Sequence, residues 1–271
     1  MKLTVQNAEY FYDEARTAGF SDINFTLENG EFMCILGPNG CGKTTLLKSI
    51  NRLIKLSRGS VEIDGRNVAD IPRPEIAQAI GYVPQLHQPA FPFTVLEVVL
   101  MGRSPHLAPF SSPKHHDVTI ADEAIDTMGI TPLRDKPYTQ LSGGERQLVV
   151  FARVLAQKPS LILLDEPTSH LDFSNQVRLL KTVEQLAATG ILIIMTSHFP
   201  DHAFMVSSKV ALMKKGRIID IGTPDDTITE ANLKEVYDMK VKIISINSEI
   251  SRKICLPVGD RLLSDKENLK I

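Results

Sequence analysis

The run Gly37-Pro38-Asn39-Gly40-Cys41-Gly42-Lys43-Thr44 constrains this chain more than any other segment. Its pattern is G-x-x-x-x-G-K-S/T. Glycines at these spacings let the backbone turn its N–H groups inward around phosphate oxygens, and a following helix adds the positive end of its dipole. Both flanks fit. Glu31 to Leu36 reads as a short apolar strand, and Thr44 to Leu53 places Leu46, Leu47, Ile50 and Leu53 at helical spacing. Lys43 is positioned to reach the β and γ phosphates of a nucleotide, and Thr44 to hold Mg2+ through its hydroxyl. A glycine turn with a chance lysine would require neither flank.

Two further segments belong with this loop. Leu161-Ile162-Leu163-Leu164-Asp165-Glu166 is a buried-strand pattern ending in two acids. Carboxylates there sit at the sheet edge where ligands bind. Asp165 suits a Mg2+ contact, and Glu166 suits a general base that polarises the attacking water. Taken alone, the same residues would serve as an ordinary strand end with solvated acids. Leu141-Ser142-Gly143-Gly144-Glu145 opens a second helix. Ser142 and Glu145 form a capping box, which is a purely structural reading. The box does not require Gly143 and Gly144, however. Glycines let another surface approach the backbone, and a helix N-terminus attracts anions. One nucleotide needs one phosphate cradle, so a second glycine-rich helix start suggests that two copies share two nucleotides.

The remaining pattern organises the chain. Val5 to Tyr12 and Ile23 to Leu27 read as strands, joined by a polar loop from Asp13 to Gly19. Ser57 to Gly65 reads as a hairpin with Asp64-Gly65 at its tip. A proline-rich shift begins after the strand Ile80 to Val83. Helical stretches follow at Val95 to Met101, Val118 to Met128 and Ser142 to Ala156. Residues 86–159 therefore read as a helical subdomain inserted in an α/β core. The core resumes with Leu161 to Leu164, a helix from Gln176 to Ala187, a strand from Ile191 to Thr196, and the pair Lys209 to Lys214 and Arg217 to Asp220. Strands separated by helices favour a mostly parallel sheet. Asn247 to Ile271 is polar and weakly patterned, and reads as an appendage or loosely held tail.

Composition bounds the function. The 271 residues are 43 % hydrophobic, enough for a large packed core. A net charge of -2 gives no global field for a nucleic-acid backbone. No apolar run has the length of a membrane span, and Met1-Lys2-Leu3-Thr4 does not open a signal peptide. The three cysteines, Cys34, Cys41 and Cys255, match no metal spacing and read as reduced thiols.

With these motifs in this order, the chain resembles the nucleotide-binding subunit of an ATP-binding cassette (ABC) transporter from about Leu3 to Ile246. The resemblance implies an α/β fold. It has a P-loop NTPase core, mostly parallel sheet with helices, plus N-terminal antiparallel β strands and the inserted α-helical subdomain. It implies an ATPase domain over residues 1–246 and a C-terminal extension over 247–271. The ATP-binding set runs from Gly37 through Thr45 and takes in Ser142, Gly143, Gly144 and Glu145. Tyr12 resembles the aromatic residue that stacks on adenine, with Tyr10 and Phe11 as close competitors. Gln85 resembles the glutamine that senses Mg2+ and the transmembrane subunit. Ser169-His170-Leu171-Asp172 resembles the loop whose aspartate crosses a dimer interface, although the family more often has alanine at the position of His170. His198, in Thr196-Ser197-His198, matches the histidine that contacts the γ-phosphate. With Glu166 and Lys43 it completes the implied catalytic set, while Thr44, Gln85 and Asp165 form the implied Mg2+ set.

The resemblance further implies a homodimer that sandwiches two ATP molecules head to tail. This dimer would attach peripherally to a membrane permease on its cytoplasmic face, and an extracytoplasmic binding protein would deliver cargo. Thr94 to Val99, Gly102 to Leu107 and Thr168 to Asp172 resemble the iron–siderophore, haem and cobalamin importers. Molybdate and tungstate importers are similar in this region. Soluble ABC ATPases acting on nucleic acid or ribosomes usually carry two cassettes or a long coiled coil. This sequence has one cassette and no heptad run. A module that binds ATP without hydrolysing it would not need Lys43, Asp165, Glu166 and His198 together.

Overall fold

Alternating burial in the first strands and unbroken apolar runs in the later ones divide the chain between two main sheets. The computed structural model describes residues 1–12, 18–85, 91–108, 110–169, 171–247 and 251–258. Strands β1 (Lys2–Phe11) and β2 (Ala18–Glu28) pair antiparallel and bury Leu3, Val5, Phe20, Ile23 and Leu27. Strand β3 (Phe32–Leu36) is buried along its whole length and leads through the phosphate loop into α1 (Lys43–Ile50). Strands β4 (Arg58–Ile63) and β5 (Arg66–Asn67) form a two-residue hairpin on Asp64 and Gly65, both at positive φ. The first sheet thus has the order β2-β1-β4-β5.

Helix α2 (Arg73–Ala79) runs into β6 (Ile80–Val83). Helices α3 (Val95–Leu100), α4 (His115–Thr127) and α5 (Gly143–Ala156) follow, with a 3-10 turn over Met101–His106 after α3. The core resumes with β7 (Leu161–Asp165), α6 (Phe173–Ala188), β8 (Leu192–Ser197), α7 (Pro200–Val206), β9 (Lys209–Lys214) and β10 (Arg217–Gly222). Short helices α8 (Pro224–Thr227) and α9 (Glu230–Tyr237) precede a last hairpin of β11 (Val241–Asn247) and β12 (Ser251–Pro257).

The second sheet has the order β10-β9-β3-β8-β7-β6 and is parallel except for β10. A parallel sheet covered on both faces needs apolar residues at every strand position, and β3, β7 and β8 supply them. Phe32, Cys34, Leu36, Ile162, Leu164, Ile193 and Met195 face a core shared with α3 to α6. Met33, Ile35, Leu161, Leu163, Leu192 and Ile194 face α1 and the antiparallel sheet. Between α3 and α5, the buried Arg103 donates to Asp117 Oδ1 at 3.0 Å and to the Ala156 carbonyl at 2.8 Å, tying the helical block together. Among the described residues, no helix is long and apolar enough to cross a membrane.

Three expectations shift. Leu53 is not on the buried face of α1; it is 58 % exposed. The helix ends earlier because Arg52 takes a left-handed φ of 53° and the Leu53 N–H turns back to the Lys48 carbonyl at 2.8 Å, a Schellman-type stop. The loop expected over Asp13 to Gly19 is shorter, since β2 already begins at Ala18; residues 13–17 lie outside the described set. The expected tail is not featureless. Hairpin β11–β12 spans the 246/247 boundary, and the Cys255 N–H donates to Asp201 Oδ1 of α7 at 2.7 Å. Residues 259–271 lie outside the described set.

Candidate nucleotide site

Parallel strands deliver their C-terminal ends to one edge of the sheet, where doubly wound folds bind ligands. Registers Leu36↔Ser197, Asp165↔Thr196 and Val83↔Leu164 align the ends of β3, β8, β7 and β6. The phosphate loop, the acid pair, His198 and Gln85 follow those four ends and therefore converge.

The loop is shaped by backbone freedom. Gly42 adopts a φ of 108°, and a Cβ added there would meet the Gly19 carbonyl oxygen at 2.3 Å. Lys43 is 5 % exposed, and its ammonium donates to the Gly37 and Pro38 carbonyls at 2.7 and 3.1 Å. It also lies 3.5 Å from Glu166 Oε1. The Cys41 thiol is pushed above its ordinary pKa, mainly by burial, so it stays protonated in the loop.

Thr44 Oγ1 donates to Asp165 Oδ1 at 2.9 Å, the juxtaposition expected of two Mg2+ ligands. Glu166 follows at a left-handed φ of 46°, which is uncommon for a side-chain-bearing residue. Its Oε2 accepts from Gln85 Nε2 at 2.9 Å and lies 3.6 Å from His198 Nδ1. That imidazole nitrogen is buried and has no hydrogen-bond partner among the described residues. Lys43, Thr44, Gln85, Asp165, Glu166 and His198 thus form one cluster. The left-handed turn at Glu166 brings its carboxylate to Lys43 and Gln85.

The donor set fits a Mg2+ ion. Thr44, Asp165 and Gln85 offer hard oxygen atoms, and no group of three or more His, Cys, Asp or Glu residues among the described residues forms a metal cage of its own. Mg2+ is typically held this way, through one or two carboxylates plus substrate phosphates.

Tyr12 lies at the rim, 59 % exposed, with its hydroxyl 2.5 Å from Thr45 Oγ1. Tyr10 instead stacks on Phe20 with ring centroids 6.2 Å apart and packs against the core. Of these two tyrosines, Tyr12 presents the freer face. Two residues went unassigned in the sequence. Thr196 donates to Asp165 Oδ1 and accepts from the Glu166 N–H, both at 2.9 Å, so it fixes the two acids relative to each other. Tyr82 donates to Asp165 Oδ2 at 3.3 Å. The only sequence signal for either was its place near the end of a strand.

Ser142 to Glu145 are not part of this cluster. Ser142 caps α5: the Glu145 N–H donates to Ser142 Oγ at 3.3 Å, and the Ser142 N–H donates to Glu145 Oε2 at 2.8 Å. The Ser142 N–H and hydroxyl, each donating to Glu145 Oε2 at 2.8 Å, hold the Glu145 carboxyl below its usual pKa. The C-terminal end of α5 is anchored by Arg103 at Ala156. Gly143 is exposed, and a Cβ added there would meet nothing within 4 Å. Asp172 caps α6, accepting from the Asn175 N–H at 2.8 Å. His170 lies outside the described residues.

A phosphate loop after β3, an acid pair after β7 and a mixed sheet with helices on both faces define a P-loop ATPase. A family model described as ABC transporter matches residues 20–169. The chain belongs to this family, as an ATP-binding and ATP-hydrolysing cassette.

Among its relatives, the molybdate import ATP-binding protein MolC of Haemophilus influenzae is 36 % identical over 238 residues, 88 % of each chain. The iron(3+)-hydroxamate import ATP-binding protein FhuC of Bacillus subtilis is 33 % identical over 247 residues, 91 % of each chain. A solved ABC transporter described as metal-chelate type, in an inward-facing conformation, aligns with a TM-score of 0.84 and 33 % identity, covering 96 % of this chain and 98 % of that one. A dimeric bacterial ABC cassette aligns with a TM-score of 0.73 and 26 % identity, covering 82 % of this chain and 98 % of the other.

Proposed function

We propose that this chain powers import of a metal chelate or cofactor, of the iron–siderophore, haem or cobalamin class, as a homodimer on the cytoplasmic face of a membrane permease. The observation that carries the hydrolytic part is the cluster of Lys43, Asp165, Glu166, Gln85 and His198 at one sheet edge. The observation that carries the dimeric part is the separate, exposed Ser142 helix start. The relative named for iron hydroxamate and the metal-chelate transporter structure support the cargo class. MolC supports a second reading, a molybdate importer of the same architecture. In both readings an extracytoplasmic binding protein selects the cargo, and no nucleic acid takes part.

In this mechanism Gly37 to Thr45 cradle the phosphates, Lys43 draws the β and γ oxygens, and Tyr12 stacks on adenine. When bound, Mg2+ neutralises phosphate charge and orients the leaving group; Thr44, Asp165 and Gln85 would hold it. Glu166 accepts the proton of the attacking water, and His198 steadies the γ-phosphate. The partner's Ser142, Gly143, Gly144 and Glu145 close the site from the other side, aiming a helix N-terminus at developing negative charge. Asp172, at the exposed start of α6, contributes to the same interface. Loss of phosphate removes the bridging contacts, and the dimer reopens.

A coupling helix of the permease sits in the groove near Gln85 and the helical subdomain. Residues 1–246 act as the ATPase domain, with 86–159 as its helical subdomain. The extension from 247 is joined to the domain through the last hairpin.

Ser142→Asp separates the cap from the phosphate contact, because aspartate caps helices about as well as serine but repels a phosphate. Thermal unfolding is expected to stay within a few degrees of the parent, while ATPase activity of the assembled complex falls by about 10-fold or more. Unchanged ATPase would mean that the capping box is the whole role. For cargo, the binding protein that docks on the same permease is expected to bind a ferric or cobalt chelate in a calorimetric titration. Preferential binding of molybdate would decide for the second reading.

A further inference from the structure

We propose that Tyr82 is a positioning residue for the metal-side carboxylate Asp165 and connects it mechanically to the groove between core and helical block. The proposal rests on the reading of Asp165 as a Mg2+ ligand given above.

The geometry is specific. Tyr82 sits on β6, the edge strand, with its neighbours Gly81 and Val83 buried. Tyr82 lines a cavity of about 470 Å3 beside Leu53, Ile76 and Ile80, and its hydroxyl donates to Asp165 Oδ2 at 3.3 Å. The second oxygen, Oδ1, takes Thr44 and Thr196, both at 2.9 Å. One flat side chain therefore spans from the groove to the acid. Tyrosine has two side-chain torsions and a rigid ring, so displacement of the ring by a groove occupant carries to the hydroxyl. Coupling between two sites is reciprocal in binding free energy. Metal at Asp165 and an occupant of the groove must then change each other's affinity by the same factor.

The chain contains no tryptophan, so Leu53→Trp places a single indole in the groove. Two measurements on the full chain with ADP decide the proposal. Mn2+ binding is followed by electron paramagnetic resonance, and indole emission is followed during a Mg2+-ADP titration. Tyr82→Phe keeps the ring and removes only the oxygen. It is expected to weaken Mn2+ binding by about 3- to 10-fold and to cut the indole response to less than about half. Equal Mn2+ affinity in Tyr82→Phe and the parent overturns the positioning role, whatever happens to melting temperature. An unchanged indole response overturns the connection to the groove. Asp165→Asn is run alongside. If it leaves Mn2+ affinity unchanged, the reading of Asp165 fails and the proposal falls with it. If it weakens Mn2+ binding and Tyr82→Phe does not, the proposal alone falls.

Discussion

Glu166→Gln is expected to bind ATP, lose turnover and accumulate as a closed dimer. The amide preserves shape and can still meet Gln85 and Lys43, which lie 2.9 and 3.5 Å from the carboxylate oxygens. It cannot accept a proton from water. Removing a general base lowers kcat by about 100- to 10,000-fold, whereas binding depends on groups that this change leaves intact. Phosphate release in steady state measures the first effect, and size-exclusion chromatography with Mg2+-ATP measures the second. A monomeric variant with near-parent turnover would remove Glu166 from the role of base. His198, whose Nδ1 has no hydrogen-bond partner among the described residues, would then become the first candidate.

Lys43→Ala is expected to act at the earlier step. The ammonium is buried and already directed by two loop carbonyls, so its position requires little reorganisation on binding. A hydrogen bond to a charged partner contributes roughly 1.5–3 kcal/mol, which corresponds to about 10- to 150-fold in affinity. The loss should be larger for ATP than for AMP, because only the triphosphate presents both β and γ oxygens. Competition against a fluorescent nucleotide measures it. Equal losses for ATP and AMP would point to collapse of the loop rather than loss of a phosphate contact. Collapse has a specific source to examine, since removing the ammonium leaves Glu166 without the buried cation beside it.

The site was legible where its chemistry is written in contiguous residues. Gly37 to Thr44 announce themselves because a phosphate cradle is a local backbone shape. Asp165 and Glu166 are legible only beside that loop, since alone they read as an ordinary strand end, and His198 only through the order of motifs that carries the family resemblance. Thr196 and Tyr82 were not legible. Their partner Asp165 lies 31 and 83 residues away, and only sheet register brings them together. The fold followed the same rule. The unbroken apolar runs of β3, β7 and β8 marked a buried parallel sheet. The end of α1 depended on Arg52 entering the left-handed region, which no hydrophobic spacing encodes. Hairpin β11–β12 escaped notice because Lys242, Ser245 and Lys253 interrupt its apolar pattern, and one of its anchors is the long-range bond from the Cys255 N–H to Asp201. Ser142 shows the opposite case. The capping box was predicted from the sequence and is present, yet it accounts for Ser142 and Glu145 only and gives no reason for the two glycines between them.

The central claim is that each ATP is enclosed by two copies of this chain. A crystal structure of Glu166→Gln with Mg2+-ATP tests it most directly. The expected result is two triphosphates in one dimer, each touching Lys43 of one copy and Ser142 of the other. Both triphosphates held entirely by residues of a single copy, with Ser142 bonded only within its own capping box, would contradict it.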